Sequence, residues 1–409
     1  MLTLGLIREG KTPADSRVVL SPIQAASIQD HYPVRVLVQP SGHRCFSNAE
    51  YRQQGLTLTE DMRGCDVLLG VKEVPVSELI NGATYLFFSH TIKKQPYNRG
   101  LLQSVLEKQI RLIDYEVLTD DQGRRVIAFG YFAGMVGAHN ALLTWGRRTG
   151  DFELKRMKNC FDYAEAKALY RTLSLPPIRV VLTGGGRVAS GAEVVLRDMG
   201  LAQVSPEDYL AHTYPHAVFT RLNCADYAAR SDGQPFDRAH FYAYPEAYAS
   251  IFHPYTSCSD IMINGIFWDH RAPAFFTPGE MAAEDFRIRV IADVTCDIAP
   301  ESSIPSTLRA STIADPIFGY DPIARVEVPP HSEGVIDMMT IDNLPSELPR
   351  DASESFGQQF TDHVLWPLLS PGHPMISRAT IAEAGQLGTN FEYLREYVYP
   401  TSSINPPSS

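Results

Sequence analysis

A chain of 409 residues, 44% hydrophobic and 20% charged, is too long for one compact core and reads as an ordinary globular protein of two domains. Its formal charge of -11, with no lysine- and arginine-rich run, argues against nonspecific nucleic-acid binding, which needs a basic footprint to displace phosphate counterions. The six cysteines (Cys45, Cys65, Cys160, Cys224, Cys258, Cys296) lie far apart, with no CxxC and no Cys/His pair at metal spacing. Reduced thiols and no metal site are therefore expected, with a local Cys224–Cys258 bridge left open.

The first apolar residues break at Arg8 and Glu9, too early for the core of a signal peptide. No window approaches the roughly 18 consecutive apolar residues of a membrane helix. A cytoplasmic protein with no membrane partner is expected. Residues 2–7, 34–39 and 66–71 have the pattern of short strands, with helical character over 22–30. Strands at 85–89 and 110–114 continue the series, separated by a helix over 100–108. This alternation predicts an α/β unit with a parallel sheet. Several strands run directly into polar residues: Val71 into Lys72, Ser89 into His90, Ile113 into Asp114. Ligands of open α/β sheets gather at those carboxyl ends.

Residues 132–149, rich in Ala, Gly, Leu and Met, predict a buried helix packed closely on a neighbour. A polar helix follows over 159–174, then a buried strand over 178–183 and a helix over 186–200. Later strands are predicted at 262–267 and 288–293, and 297–335 is proline-rich and irregular. The stretch 211–248, rich in Tyr, His and Arg, shows no periodic pattern and reads as a surface excursion or a subunit contact. The tail Ser402 to Ser409 is expected to be disordered.

Between the strand at 178–183 and its helix, Gly184-Gly-Gly-Arg-Val-Ala189 satisfies the GxGxxA form. The first glycine permits a tight turn, and Gly186 lets backbone amides approach a pyrophosphate. Ala189 allows close helix–strand packing, and the helix N-terminus offers partial positive charge to phosphate. The alternative is a purely structural turn. The following strand, Ala202-Gln-Val-Ser205, lacks the acid that usually binds the adenosine ribose. None occurs before Glu207 and Asp208. NAD is preferred, and Arg187 keeps NADP open.

Lys72, with Glu73 beside it, and His90 are candidates for moving protons to and from an amine or a carbinolamine. A desolvated lysine shifts toward neutrality and histidine titrates there already. Taken singly, a strand-end lysine is more often a solvated surface group and a lone histidine is more often structural. Arg17, Arg124 and Arg125 are candidate carboxylate clamps through bidentate guanidinium bonds. Their plainer reading is ion pairing with Asp15, Asp120 or Asp121. Glu116 is a candidate partner for a substrate ammonium, or else a capping or solvated acid.

Taken together, these residues resemble the saccharopine dehydrogenases of the lysine-forming type, which belong with alanine dehydrogenase and the transhydrogenase alpha subunit. The resemblance runs from Arg8-Glu9 through Lys72-Glu73-Val-Pro75 and Phe87-Phe-Ser-His90 to Asp342-Asn-Leu-Pro345 and Leu348-Pro-Arg-Asp-Ala-Ser353. Those elements are shared across the superfamily. The run Asp114-Tyr-Glu116 with Asp121-Gln-Gly-Arg-Arg-Val-Ile-Ala-Phe-Gly130 points to saccharopine dehydrogenase rather than alanine dehydrogenase.

The resemblance implies two Rossmann-like domains with parallel-sheet cores, the first discontinuous, separated by a cleft that takes the substrate. Residues 1–133 with 332–409 would form the substrate domain and 134–331 the dinucleotide domain. Lys72 and His90 match the family's acid–base pair. Arg17, Glu73, Glu116, Arg125 and Phe129 match its substrate pocket. Gly184, Gly186, Arg187 and Ala189 fall on the cofactor turn, and Asp342 on the nicotinamide side. Thr183 and Ala189 stand where that family more often has glycine.

The implied reaction interconverts saccharopine with L-lysine and 2-oxoglutarate, using NAD or NADP, by hydride transfer and imine hydrolysis. His90 would serve the amine oxidation and Lys72 the hydration and collapse. Two rivals stand beside it. One is alanine dehydrogenase or another opine-forming enzyme of the same superfamily. The other is a nicotinamide-binding regulatory protein without turnover. No sequence feature marks an oligomeric interface.

Overall fold

The computed structural model describes residues 1–400, so the disorder expected of Ser402 to Ser409 falls outside them. The chain divides into two compact units, Met1–Ala128 with Pro349–Ser409, and Phe129–Leu348. Each is an α/β unit built on an eight-stranded sheet.

In the first unit the sheet runs Gln386–Leu387, Thr380–Glu383, Arg111–Asp114, Thr84–Phe87, Val67–Leu69, Leu2–Leu6, Val34–Val38 and Thr57–Leu58. The six strands from the N-terminal segment are parallel, and the last two in sequence add an antiparallel edge. Val67, Leu68 and Leu69 are all buried, as a parallel strand covered on both faces requires. The helix Pro22–His31 starts with a capping box between Ser21 and Gln24 and a proline in its first turn. Helix Arg99–Glu107 buries Leu101, Leu102, Val105 and Leu106 into a core shared with Phe87, Leu112 and Ile381. The return of the chain is secured at Gln359. Its side-chain amide accepts from the Ala128 N–H at 3.0 Å and donates to the Ala128 carbonyl at 3.3 Å.

In the second unit the order is Val326–Val328, Ile317–Asp321, Ile336–Met339, Val290–Asp293, Ile261–Asn264, Arg179–Thr183, Val218–Leu222 and Ala202–Gln203. The last six of these are parallel, and the first two form an antiparallel hairpin at the edge. Ile336–Met339 pairs with Val290–Asp293, so the unit extends to Leu348 rather than closing at 331. The segment 297–335 contains that edge hairpin and is not wholly irregular.

The expectation for 211–248 needs a larger correction. Instead of a surface excursion, it supplies Val218–Leu222, a strand inside the sheet, hydrogen-bonded to Arg179–Thr183 along five residues. The strand expected after the glycine turn shrinks to Ala202–Gln203 at the sheet's edge. The polar helix expected over 159–174 is confined to Tyr163–Tyr170.

The long helix Gly130–Thr149 crosses helix Arg187–Asp198 in backbone contact. A Cβ on Gly134 would collide with the Val188 carbonyl, and one on Gly191 with the Tyr131 carbonyl. Only glycine at both crossing points permits that approach. Below the crossing, buried Arg156 is held by Glu347, which also accepts from Asn140 at 3.2 Å.

Candidate active site

In the first unit, four parallel strands deliver the candidate residues to one edge of the sheet. Leu2–Leu6 leads to Glu9, Val67–Leu69 to Lys72 and Glu73, Thr84–Phe87 to His90, and Arg111–Asp114 to Glu116. His90 sits in the left-handed backbone region, at φ 53°. A non-glycine residue is held there only when its surroundings over-determine it, as they do at functional sites. Buried Asp114 provides part of that hold, accepting from the Ser89 N–H at 3.0 Å and the Glu116 N–H at 2.7 Å.

His90 Nδ1 lies 2.6 Å from Glu73 Oε1. Burial works to raise the Glu73 carboxyl, but the His90 hydrogen bond and charge, with Lys11, outweigh it and hold it at about 2. A carboxylate only accepts, so Nδ1 donates and Nε2 is left to face a reacting group. Lys72 is half-buried, and no described residue hydrogen-bonds or ion-pairs with its ammonium through the side chain. Burial, with the positive charges of Arg17 and Lys11, pushes it down to about 8 against the opposing pull of Asp15 and Glu73.

Glu9 is a residue that the sequence reading gave no role. Its Oε1 accepts from the Val71 N–H at 2.6 Å and its Oε2 from the Lys72 N–H at 2.8 Å, which fixes the end of the strand carrying Lys72. Burial pushes this carboxyl up to about 8 despite those two donors. The only sequence signal was an acid just past an apolar strand.

The other candidates are placed as follows. Arg17 is buried, with Nε and Nη2 engaged by Asp15 at 3.0 and 2.6 Å. Arg124 makes the exposed pair with Asp120, its plainer reading. Arg125 lies 5.3 Å over the Phe88 ring and 4.0 Å from Glu116, and Phe88 stacks on His90. Glu116 is also 3.6 Å from Lys93 through Oε1, while its buried Oε2 has no hydrogen-bond partner. Glu73, His90, Phe88, Arg125 and Glu116 thus form a continuous chain of contacts. Phe129 and Asp342 belong to the second unit, the first nearly buried ahead of helix Gly130–Thr149 and the second exposed after strand Ile336–Met339.

In the second unit the glycine turn occupies the carboxyl end of Arg179–Thr183. Gly184 has φ +118°, and a Cβ there would lie 2.5 Å from the Gly265 carbonyl oxygen. Gly186 caps helix Arg187–Asp198, with open space where its side chain would be, and Ala189 is fully buried behind the turn. Arg221 buttresses the turn, donating to the Gly184 carbonyl at 2.9 Å and pairing with Glu193 at 2.8 Å.

A hollow of about 600 Å³ opens over the turn, lined also by Asn223, Arg238, Gly265 and Phe267. The residues present fit a dinucleotide: open space at the helix cap, donors at the helix N-terminus, and backbone that approaches where no side chain intervenes. The strand that neighbours the first is Val218–Leu222, so the residue that follows the neighbouring strand is Asn223 and not one after Val204. Glu207 and Asp208 lie instead on the helix Pro206–Ala211, beyond the edge strand. Beneath the hollow, Thr183, Asn264 and Asp293 are joined by hydrogen bonds across three strand ends, at 2.9 and 3.0 Å.

Among the described residues no cluster of His, Cys, Asp and Glu could hold a metal. No described helix is long and apolar enough to cross a membrane. All six cysteines are free, so Cys224 and Cys258 do not pair.

Residues 5–136 match the family model of the alanine dehydrogenase/PNT N-terminal domain. The mitochondrial alpha-aminoadipic semialdehyde synthase of Rattus norvegicus is 30% identical over 96% of this chain and 47% of that protein. The saccharopine dehydrogenase (NAD+, L-lysine-forming) of Neurospora crassa is 26% identical over 86% of this chain and 87% of that protein. Residues 5–136 are thus similar to the alanine dehydrogenase/PNT N-terminal domain, and most of the chain is similar to saccharopine dehydrogenases. The chain spans about half the length of the semialdehyde synthases it matches. A similar fold is seen in an L-alanine dehydrogenase structure, with TM-score 0.66 and 15% identity over 97% of this chain and all of that one.

Proposed function

We propose that this chain is a nicotinamide-dependent dehydrogenase that interconverts saccharopine with L-lysine and 2-oxoglutarate. The observation that carries the reading is the trio at the strand ends: a half-buried Lys72 brought near neutrality, with Glu73 beside it orienting His90. The name of the Neurospora relative, a saccharopine dehydrogenase (NAD+, L-lysine-forming), supports it.

The chemistry of the residues then divides as follows. His90 takes the proton from the secondary amine through Nε2 as the amine is oxidised to an imine, and Glu73 stabilises the imidazolium. Lys72 takes a proton from the water that adds to the imine carbon and returns one to the departing lysine nitrogen. Glu116 Oε2 accepts from a substrate ammonium. Arg125 and Arg17 attract the substrate carboxylates.

The cofactor is NAD, held by Gly184, Gly186, Arg187 and Ala189 at the turn, with Asp342 toward the nicotinamide. When bound, its nicotinamide supplies the hydride acceptor. Arg187 and Arg238 border the same hollow, so NADP is tested beside NAD.

The test follows nicotinamide absorbance with NADH and NADPH in separate mixtures. Oxidation with lysine plus 2-oxoglutarate, and none with pyruvate plus ammonia, is the expected result. Turnover only with pyruvate and ammonia would replace the saccharopine reading with alanine dehydrogenase. No turnover from protein that binds a nicotinamide would favour the regulatory alternative.

A further inference from the structure

In the first unit, the backbone ladder between strands Leu2–Leu6 and Val67–Leu69 ends where the Ile7 N–H donates to the Leu69 carbonyl at 3.1 Å. Beyond that point the amides of the second segment are met by a side chain. The Val71 N–H donates to Glu9 Oε1 at 2.6 Å and the Lys72 N–H to Glu9 Oε2 at 2.8 Å. A carboxyl group thus supplies the acceptors that a neighbouring strand would otherwise provide. On the other side, the Phe88 N–H donates to the Val71 carbonyl at 3.0 Å, so the segment is held from both flanks. The two loops also abut, since a Cβ on Gly10 would lie 2.6 Å from the Pro75 ring.

This hold matters most for Lys72. Glu73, one residue on, has anchors of its own in Lys11 and His90. The Lys72 side chain makes no such bond among the described residues, so its ammonium is aimed by its backbone alone. Each Glu9 oxygen is turned to an amide, which places the residue to hold Lys72 rather than to meet substrate. The charges that act on Glu9 are Asp15 and Arg17. Its own charge acts on Tyr115, whose buried hydroxyl has no hydrogen-bond partner.

We propose that Glu9 is the positioning residue for Lys72, its carboxyl fixing the backbone from which that amine is presented and sheltered from water. The inference rests on the proton-handling role given to Lys72 above. Burial is the largest cause of the lowered proton affinity of Lys72. Releasing its backbone admits water and returns the amine toward its ordinary value of 10.5, so a higher pH is needed to free the base.

The test uses Glu9→Gln in the full chain, which keeps the shape but sets an amide NH2 against one of the two N–H donors. Saccharopine oxidation should fall by about 10- to 100-fold near neutral pH, the scale of a slightly misplaced catalytic group. The rising limb of its pH profile should move upward, and the KM for NAD should stay unchanged. In a Lys72→Met background, Glu9→Gln should cost nothing further, because the group it positions is gone. Circular dichroism checks that each variant is folded. Should Glu9→Gln fail to fold, Glu9→Asp, which keeps the charge with a shorter reach, takes its place with the same readouts.

A wild-type rate and limb in the folded Glu9 variant would overturn the proposal. So would a loss that multiplies that of Lys72→Met, since Glu9 would then act elsewhere. Lys72→Met with an unchanged rate would instead overturn the role of Lys72 on which the proposal rests.

Discussion

At the scale of single residues, the first unit shows how a shifted proton affinity arises from placement. Lys72 has acids for neighbours, yet burial and the guanidinium of Arg17 outweigh them and bring it down to about 8. The ammonium therefore dominates below that pH and the free amine above it. If Lys72 acts as a base in saccharopine oxidation, that rate should rise with pH through about 8 and level off above. A profile recorded with excess nicotinamide checks the sign. Lys72→Met should remove that limb and lower kcat by roughly 10²–10⁴-fold, the usual span for a general acid–base group. An unchanged rate from folded Lys72→Met protein would remove the residue from the mechanism.

Strand ends made these residues legible, because an apolar run broken by Lys72 or His90 is a local pattern. The Glu9 contacts were not legible. They join backbone amides more than 60 positions away, and no local periodicity encodes such a meeting. Arg17 shows the opposite failure. Its spacing from Asp15 did suggest an ion pair, but its burial depends on the whole unit.

At the scale of elements, the glycine turn was visible because strand, turn and helix are consecutive. Val218–Leu222 was not, since its place beside Arg179–Thr183 is fixed by pairing across a long excursion through the sheet's edge. Without that strand, the residue after the neighbouring strand reads as one past Val204 instead of Asn223. The helix crossing was foreshadowed only by the small residues of 132–149. Its glycine at 191 now carries a prediction. Gly191→Ala sets a methyl group against the Tyr131 carbonyl and should cost about 1–3 kcal/mol of stability. Because the displaced helix begins at the turn, NADH affinity should fall as well. Denaturant unfolding and a binding titration on the same preparation measure the two effects. A neutral result in both would mean that the helices separate freely.

At the scale of the whole molecule, the second unit is one continuous segment and the first is not. The continuous unit has its own core, from Val181 and Val218 to Met338. Residues 129–348 expressed alone should therefore unfold cooperatively and bind NADH within about tenfold of the full chain, without turnover. Such binding needs only the turn and hollow of that unit. Circular dichroism during denaturation, with a titration of NADH, tests this. A molten fragment would show that its sheet depends on the remainder of the chain.

The clasp of Gln359 on Ala128 has a bearing on engineering. Gln359, which holds Ala128, ends the 11-residue helix that starts at Pro349, so one helix ties both ends of the first unit's chain break. The first unit is in this sense a host with a single socket, and the nucleotide-handling segment is its cartridge. Splicing a relative's corresponding segment between Ala128 and Pro349 should exchange nucleotide preference while Lys72, Glu73 and His90 stay with their original sheet.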